Sequence, residues 1–154
     1  GLSTALAVAR LVARLKVEGK TITDLLDDLA RRHGLYLSTQ LAVRFDDLAK
    51  IPQTMEKLRA VPPTTLAGSL VEATADLEKG YDGLPPTDGI LLLTADDDRV
   101  VVRPSGTEPK IKCYLEVIRP VAPDASFTEL TRVRGEGAER LDTIKRELQE
   151  HLFA

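Results

Sequence analysis

The chain has 154 residues, a formal net charge of −3, 43% hydrophobic and 29% charged residues, and a single cysteine. That length makes one domain with its own core, or a smaller domain with part of a neighbour, and we expect the second. The small net charge, with both signs interspersed, argues against nucleic acid or an anionic membrane as partner; one cysteine excludes an internal disulfide, and no apolar run is long enough to span a bilayer, which together with the lack of a signal peptide points to the cytoplasm.

In chain order, residues 2–17 read as an apolar helix, with Leu2, Leu6, Leu11, Val12 and Leu15 joined by alanines and only Arg10, Arg14 and Lys16 marking a polar side. Such a helix belongs against something apolar, and Gly19 is its expected stop. A second helix starts at Thr21 or Thr23, presents Ile22, Leu25, Leu26 and Leu29 at helical spacing and ends at Gly34. Residues 35–44 read as an extended strand, residues 53–60 as a short helix with Pro52 in its first turn, and Pro62-Pro63 as its end. Residues 66–77 carry the β-branched and apolar residues of a strand, although their alanines are compatible with helix as well. A loop over residues 79–86 comes next, then two short strands over 88–102 and a third over 111–118. Ser126 and Glu129 have capping-box spacing for a closing helix with a core face of Leu130, Val133, Leu141, Ile144, Leu148 and Leu152. Gly135 and Gly137 weaken that helix by about 1 kcal/mol each, which leaves a break near them as an alternative to one continuous helix.

The segment Arg103-Pro104-Ser105-Gly106-Thr107-Glu108-Pro109-Lys110-Ile111-Lys112 has the equipment of a phosphate clamp. Arg103 offers two parallel donors to phosphate oxygens. Ser105 and Thr107 each offer a hydroxyl proton, and Gly106 lets backbone N–H groups approach an anion. The prolines limit the entropy lost on binding. Beyond the loop, Ile111, Cys113, Leu115 and Val117 alternate with Lys110, Lys112, Tyr114 and Glu116, so a pleated strand buries the first set and turns both lysines to the other face. A proline-bracketed turn whose hydroxyls satisfy nearby backbone is the alternative; the cluster of Arg103, Lys110 and Lys112 decides for phosphate. Glu108 would repel an anion if it faced inward, so it is expected to brace the loop.

Arg-Pro-Ser-Gly-Thr-Glu-Pro followed by Lys-Ile-Lys resembles the phosphate-binding loop in the last domain of the α-D-phosphohexomutases, of the phosphomannomutase and phosphoglucomutase type. The start Gly1-Leu2-Ser3 with its Ala/Leu-rich helix resembles the end of that family's third domain, so the resemblance covers nearly the whole chain, with the loop as its specific part. The fold it implies is α+β, a small, mostly antiparallel sheet with helices on one face, like the TATA-binding protein. The implied division is residues 1–34 as the helical end of the third domain and residues 35–154 as the phosphate-binding domain. The implied role of Arg103, Ser105, Gly106, Thr107, Lys112 and, more weakly, Lys110 is to hold the substrate's non-reacting phosphate. Meanwhile a phosphoserine and Mg²⁺ in other domains move a phosphoryl group on a hexose or pentose phosphate through a bisphosphate. The family's Thr-Ala-Ser-His-Asn-Pro-like, Asp-Gly-Asp-x-Asp-Arg-like and Gly-Glu-Glu-Ser-Gly-like loops do not occur here. We therefore expect a C-terminal fragment with no catalytic residue, no metal site and no turnover of its own, whose partners are a hexose 1- or 6-phosphate and the remaining mutase domains. The sugar it serves is not encoded in this segment.

Two other readings stand beside this one: a stand-alone phosphate-binding or adaptor domain, and an oligomerisation piece that self-associates through residues 2–17. Asp96-Asp97-Asp98-Arg99 superficially resembles a metal loop, but it joins two apolar runs without an interleaved glycine and reads as a hairpin turn. His33 and His151 have no second ligand at metal spacing, and Cys113 reads as a small buried hydrophobe.

Overall fold

A computed structural model describes residues 1–153. The chain forms two compact units, one made of residues 1–35 with 119–133, the other of residues 36–118 with the chain from Arg134 onward. The first unit holds α1 (Leu2–Val17), α2 (Ile22–His33) and the beginning of α4 (Phe127–Phe153). α1 stops because Gly19 takes φ +71°, which brings its N–H to the Lys16 carbonyl at 3.1 Å and the Lys20 N–H to the Leu15 carbonyl at 2.8 Å. That is the paired closure of a Schellman end. α2 begins with a full capping box: Thr21 Oγ1 accepts from the Asp24 N–H at 3.2 Å, and Asp24 Oδ2 accepts from the Thr21 N–H at 2.7 Å. The Thr21 hydroxyl also donates to Asp24 Oδ2 at 2.7 Å, and this bond, followed by the one from the Thr21 N–H, holds the Asp24 carboxyl below the usual carboxylate range. Arg31 Nε donates to the Ala125 carbonyl at 2.9 Å, tying α2 to the segment before α4.

Most of the large apolar residues of these helices are exposed. Leu15 is the buried residue of α1, while Leu2 and Val17 are 93% and 89% exposed; in α2 the buried positions are Asp27 and Ala30, with Ile22, Leu26 and Leu29 exposed. The amphipathic pattern is present, but the side that it marks as apolar has little protein over it.

The second unit is a six-stranded sheet in the order β1-β6-β5-β4-β3-β2, from β1 (Leu35–Arg44), β2 (Thr65–Leu66), β3 (Ser69–Asp76), β4 (Ile90–Thr94), β5 (Arg99–Pro104) and β6 (Lys110–Arg119). The pairs from β2 through β6 are antiparallel. One face carries Ile90, Leu92, Val100, Val102, Ile111, Cys113, Leu115 and Val117. It shares a core with Ile51, Met55 and Leu58 of α3 (Lys50–Ala60) and with Leu141, Ile144, Leu148 and Leu152 of α4. The fold is therefore the expected α+β arrangement, a small antiparallel sheet with helices on one face. Among the described residues no helix is long and apolar enough to cross a membrane.

Three local expectations are corrected. α3 begins at Lys50 rather than Gln53, because the Asp47 side chain accepts from the Ala49 N–H at 2.9 Å and starts the turn early. Residues 66–77 are not one element: β2 and β3 form a hairpin whose turn residues Ala67 and Gly68 take φ +46° and +76°, followed by a 3₁₀ turn over Leu77–Lys79. Two adjacent left-handed residues are what a two-residue hairpin with the right twist demands. α4 runs unbroken through Gly135 and Gly137, and Ser126 supplies only half of a capping box, since Glu129 pairs with Arg132 instead.

Asp96 and Asp97 make the tight β4–β5 turn, Asp97 with φ +61°. Asp98 is completely buried and accepts from Thr94 Oγ1 at 2.9 Å and from Arg140 Nη2 at 2.6 Å. Arg140, on α4, also reaches Asp96 at 2.8 Å and the Ala67 carbonyl at 3.1 Å, so one guanidinium fastens both hairpin turns. Glu147, two turns further along α4, accepts from the Ala67 N–H at 2.6 Å.

Candidate functional site

The candidate loop leaves β5 and enters β6, and the register of these strands sets its geometry. Val100 pairs with Leu115 and Val102 with Cys113, all four buried, which forces Arg99, Val101 and Arg103 of β5 and Lys112, Tyr114 and Glu116 of β6 onto the opposite face. Arg103 and Lys112 are direct cross-strand partners, and such pairs carry their β-carbons about 5 Å apart. Neither has a hydrogen-bond or ion-pair partner among the described residues. Like charges directly opposite destabilise a hairpin, and among the described residues no carboxylate forms an ion pair with either.

Between them the chain makes a short, tied loop. The Ser105 N–H donates to the Lys110 carbonyl at 2.9 Å, the Lys110 N–H to the Glu108 carbonyl at 2.7 Å, and the Phe45 N–H, just past β1, to the Pro109 carbonyl at 2.9 Å. Gly106 is exposed, and a β-carbon there would meet nothing within 4 Å, so the space over its backbone is open. It does not use a left-handed φ; what the glycine supplies is access. Thr107 is exposed and Ser105 half-buried, and neither hydroxyl makes a side-chain bond. At the foot of Arg103 lies Gly89, where an added β-carbon would stand 3.1 Å from the Val102 carbonyl and 3.5 Å from the Arg103 β-carbon.

Lys110 is placed differently from Lys112. Its side chain is 12% exposed and its ammonium is held by Glu108, whose other oxygen lies 3.4 Å from Arg44 Nη2. The Lys110 hydrogen bond, and then the charges of Lys110 and Arg44, keep the Glu108 carboxyl below the usual carboxylate range. Glu108 thus braces the loop against β1, as its charge suggested. Cys113 lies on the buried face, where burial pushes its thiol up to about 12, so it is not a thiolate near neutral pH.

Residues 41–121, which include this loop and most of the sheet, match the family model described as phosphoglucomutase/phosphomannomutase, C-terminal domain. The chain belongs to the phosphoglucomutase/phosphomannomutase family. A probable phosphomannomutase of Haemophilus influenzae is 38% identical over 116 residues, covering 75% of this chain and 23% of that protein. A phosphoglucomutase of Staphylococcus epidermidis is 31% identical over 121 residues, covering 70% of this chain and 22% of its own length. In fold, the chain is similar to the open form of the exocytosis-sensitive phosphoprotein pp63/parafusin, a phosphoglucomutase from Paramecium. The TM-score is 0.54 at 17% identity, over 93% of this chain and 27% of that one. The chain spans about a quarter of the length of these relatives, and the part it spans is the C-terminal domain of a phosphohexomutase.

Sequence reasoning missed the Arg140 network and the early start of α3. It also missed the ion cluster of Arg59, at the end of α3, with Asp76, Glu78 and Asp88 at 3.4, 3.0 and 2.5 Å. These partners are distant in sequence, so no local pattern announces them. Among the described residues no group of three or more His, Cys, Asp or Glu has a metal-binding arrangement.

Proposed function

We propose that the loop of residues 103–112 holds the non-reacting phosphate of a sugar phosphate while the parent enzyme transfers a phosphoryl group within that sugar. The observation that carries this reading is the pair Arg103 and Lys112: two cations face each other across adjacent strands with no carboxylate between them. A bound phosphate would relieve their repulsion. In the proposed site Arg103 gives the bidentate contact, the exposed Gly106 backbone and the Ser105 and Thr107 hydroxyls form the cradle, and Lys112 supplies the second charge. Lys110, the weaker member of the set, reaches the site only as one partner of Glu108.

The contribution of such a clamp is positional. Gripping one end of the sugar presents the other end to the reacting groups, and phosphoryl transfer is largely a matter of placement and charge stabilisation. In this reading residues 1–34 are the helical end of the preceding domain and the rest is the phosphate-binding domain. The phosphoserine, the Mg²⁺ and the groups that read the sugar hydroxyls lie in the rest of the parent enzyme, and its setting is the cytoplasm, in keeping with the single buried thiol.

The test is a titration of the chain with inorganic phosphate and with glucose or mannose phosphates, followed by NMR. The expected dissociation constant is on the order of millimolar, since the clamp forms one wall of a site. Gly106 and Thr107 amides should move first, and Arg103→Ala should abolish binding. Shifts centred on Asp96 to Asp98 would place the site on the wrong hairpin. A coupled mutase assay of the chain alone should read at background; turnover that stays with this polypeptide through purification would overturn the division of labour.

A further inference from the structure

Four cations surround the loop, but they are not equivalent. Among the described residues Arg103 and Lys112 stand without side-chain partners, whereas Lys110 and Arg44 both converge on the two oxygens of Glu108. Glu108 sits inside the sequence of the phosphate loop itself, two residues from Gly106. A carboxylate in that position weakens an anion site unless its charge is spent elsewhere, and here it is spent on two further cations beside the loop. Lys110 is the more committed of the two, with its side chain 12% exposed and its ammonium against Glu108. Its backbone also closes the loop, receiving the Ser105 N–H at 2.9 Å and donating to the Glu108 carbonyl at 2.7 Å.

We propose that Glu108 is an internal counter-anion that withholds Lys110 and Arg44 from the bound phosphate, setting the strength of the clamp at two cations instead of four. The proposal rests on the phosphate-clamp reading above and deepens it. A grip set in this way suits a site that must release one phosphate end and accept the other as an intermediate reorients. Four unpaired cations would hold a dianion more tightly and let it go more slowly, since affinity within one site changes mostly through the off-rate. Glu108 is thus a residue that tunes affinity without touching the phosphate. A residue that merely stiffens the loop would give the opposite sign on removal, because loosening the cradle lowers affinity.

The experiment measures phosphate affinity of the full chain by NMR titration for the wild type, Arg103→Ala, Glu108→Gln and Glu108→Gln combined with Lys110→Met. Glutamine keeps the size and one of the two acceptor oxygens while removing the charge. The expected result is about three- to tenfold tighter phosphate binding in Glu108→Gln, the order expected for one added charge near a screened, exposed site, with a steeper fall as salt is added. Adding Lys110→Met should take that gain away. Unchanged or weaker binding in Glu108→Gln overturns the proposal. If Glu108→Gln does not fold, the wild type still decides. Saturating phosphate should shift the side-chain signals of Lys112 and leave those of Lys110 in place, and equal shifts of the two lysines overturn it. Loss of the phosphate-clamp reading itself would show separately, as wild-type binding that Arg103→Ala leaves untouched.

Discussion

At the scale of single residues, the most informative contrast is between two side chains that look alike in the sequence. Lys110 and Lys112 share a strand and a face, yet one is spent on Glu108 and the other has no ion-pair partner among the described residues. Alternation told which face they share, but not their partners, because Arg44 is 64 residues from Glu108. Gly106 gives a sharp prediction. An alanine β-carbon there meets nothing within 4 Å, so Gly106→Ala should leave the melting temperature within a degree or two, while its methyl stands where the proposed phosphate would sit and weakens binding by about tenfold. Calorimetry and phosphate titration of the one variant check both halves. Arg140 gives the opposite case. Removing its guanidinium leaves the wholly buried Asp98 without its main counter-charge, and losing one partner of a buried pair costs about 3–5 kcal/mol. Urea denaturation of Arg140→Met should show that loss, with phosphate binding of the folded fraction retained; Arg140→Lys should not restore stability, since one ammonium cannot reach Asp96, Asp98 and Ala67 together.

At the scale of elements, the sheet was legible where a local period specified it. β6 alternates buried and outward residues throughout, and the core face of α4 is the one that its helical spacing marks. The β2–β3 hairpin was not legible, because Ala67-Gly68 carries neither the asparagine nor the aspartate that usually announces a left-handed pair. α1 and α2 were legible as helices, with ends fixed by Gly19, Thr21 and Gly34, and their large apolar residues stand mostly exposed. The cap of α2 carries its own prediction: Thr21→Ala removes the acceptor for the Asp24 N–H and should cost about 1 kcal/mol. Its pH dependence comes from the lowered Asp24 pKa, whose largest cause, the bond from the Thr21 hydroxyl to Asp24 Oδ2, is lost in Thr21→Ala. A carboxyl whose folded pKa is depressed contributes stability that is present above its unfolded value and is lost as pH falls through the folded one. The wild type should therefore lose more stability than Thr21→Ala on acidification below the ordinary carboxylate range, so that the two denaturation midpoints converge. Parallel midpoints would mean that the box contributes nothing through its charge.

At the scale of the whole molecule, the family was recognisable from ten residues because the motif that carries the resemblance is local to one hairpin. The exposed apolar residues of α1 bear on behaviour in solution. Leu2, Leu6, Val8 and Val17 all face outward, and an apolar patch of this kind favours association. The chain is expected to self-associate through α1, and Leu6→Lys with Val17→Lys should return it to a monomer that still binds phosphate. Sedimentation of both across a concentration series checks this; a wild type that stays monomeric at the highest concentration would refute it.

The division of the chain into units also has a bearing on the order in which it can fold. Residues 1–35 form a unit with residues 119–133, far along the chain, and the sheet between takes part of its core from Leu141, Ile144, Leu148 and Leu152. During synthesis the first two helices must therefore wait through the entire sheet for the segment that completes their unit, and the sheet must wait for the last turns of α4. Neither unit can close early. Since domains ordinarily fold from the N-terminus as they emerge, this chain should gain its protection late and all at once. Ribosome-bound chains stopped before residue 119 should remain open to protease throughout residues 1–118.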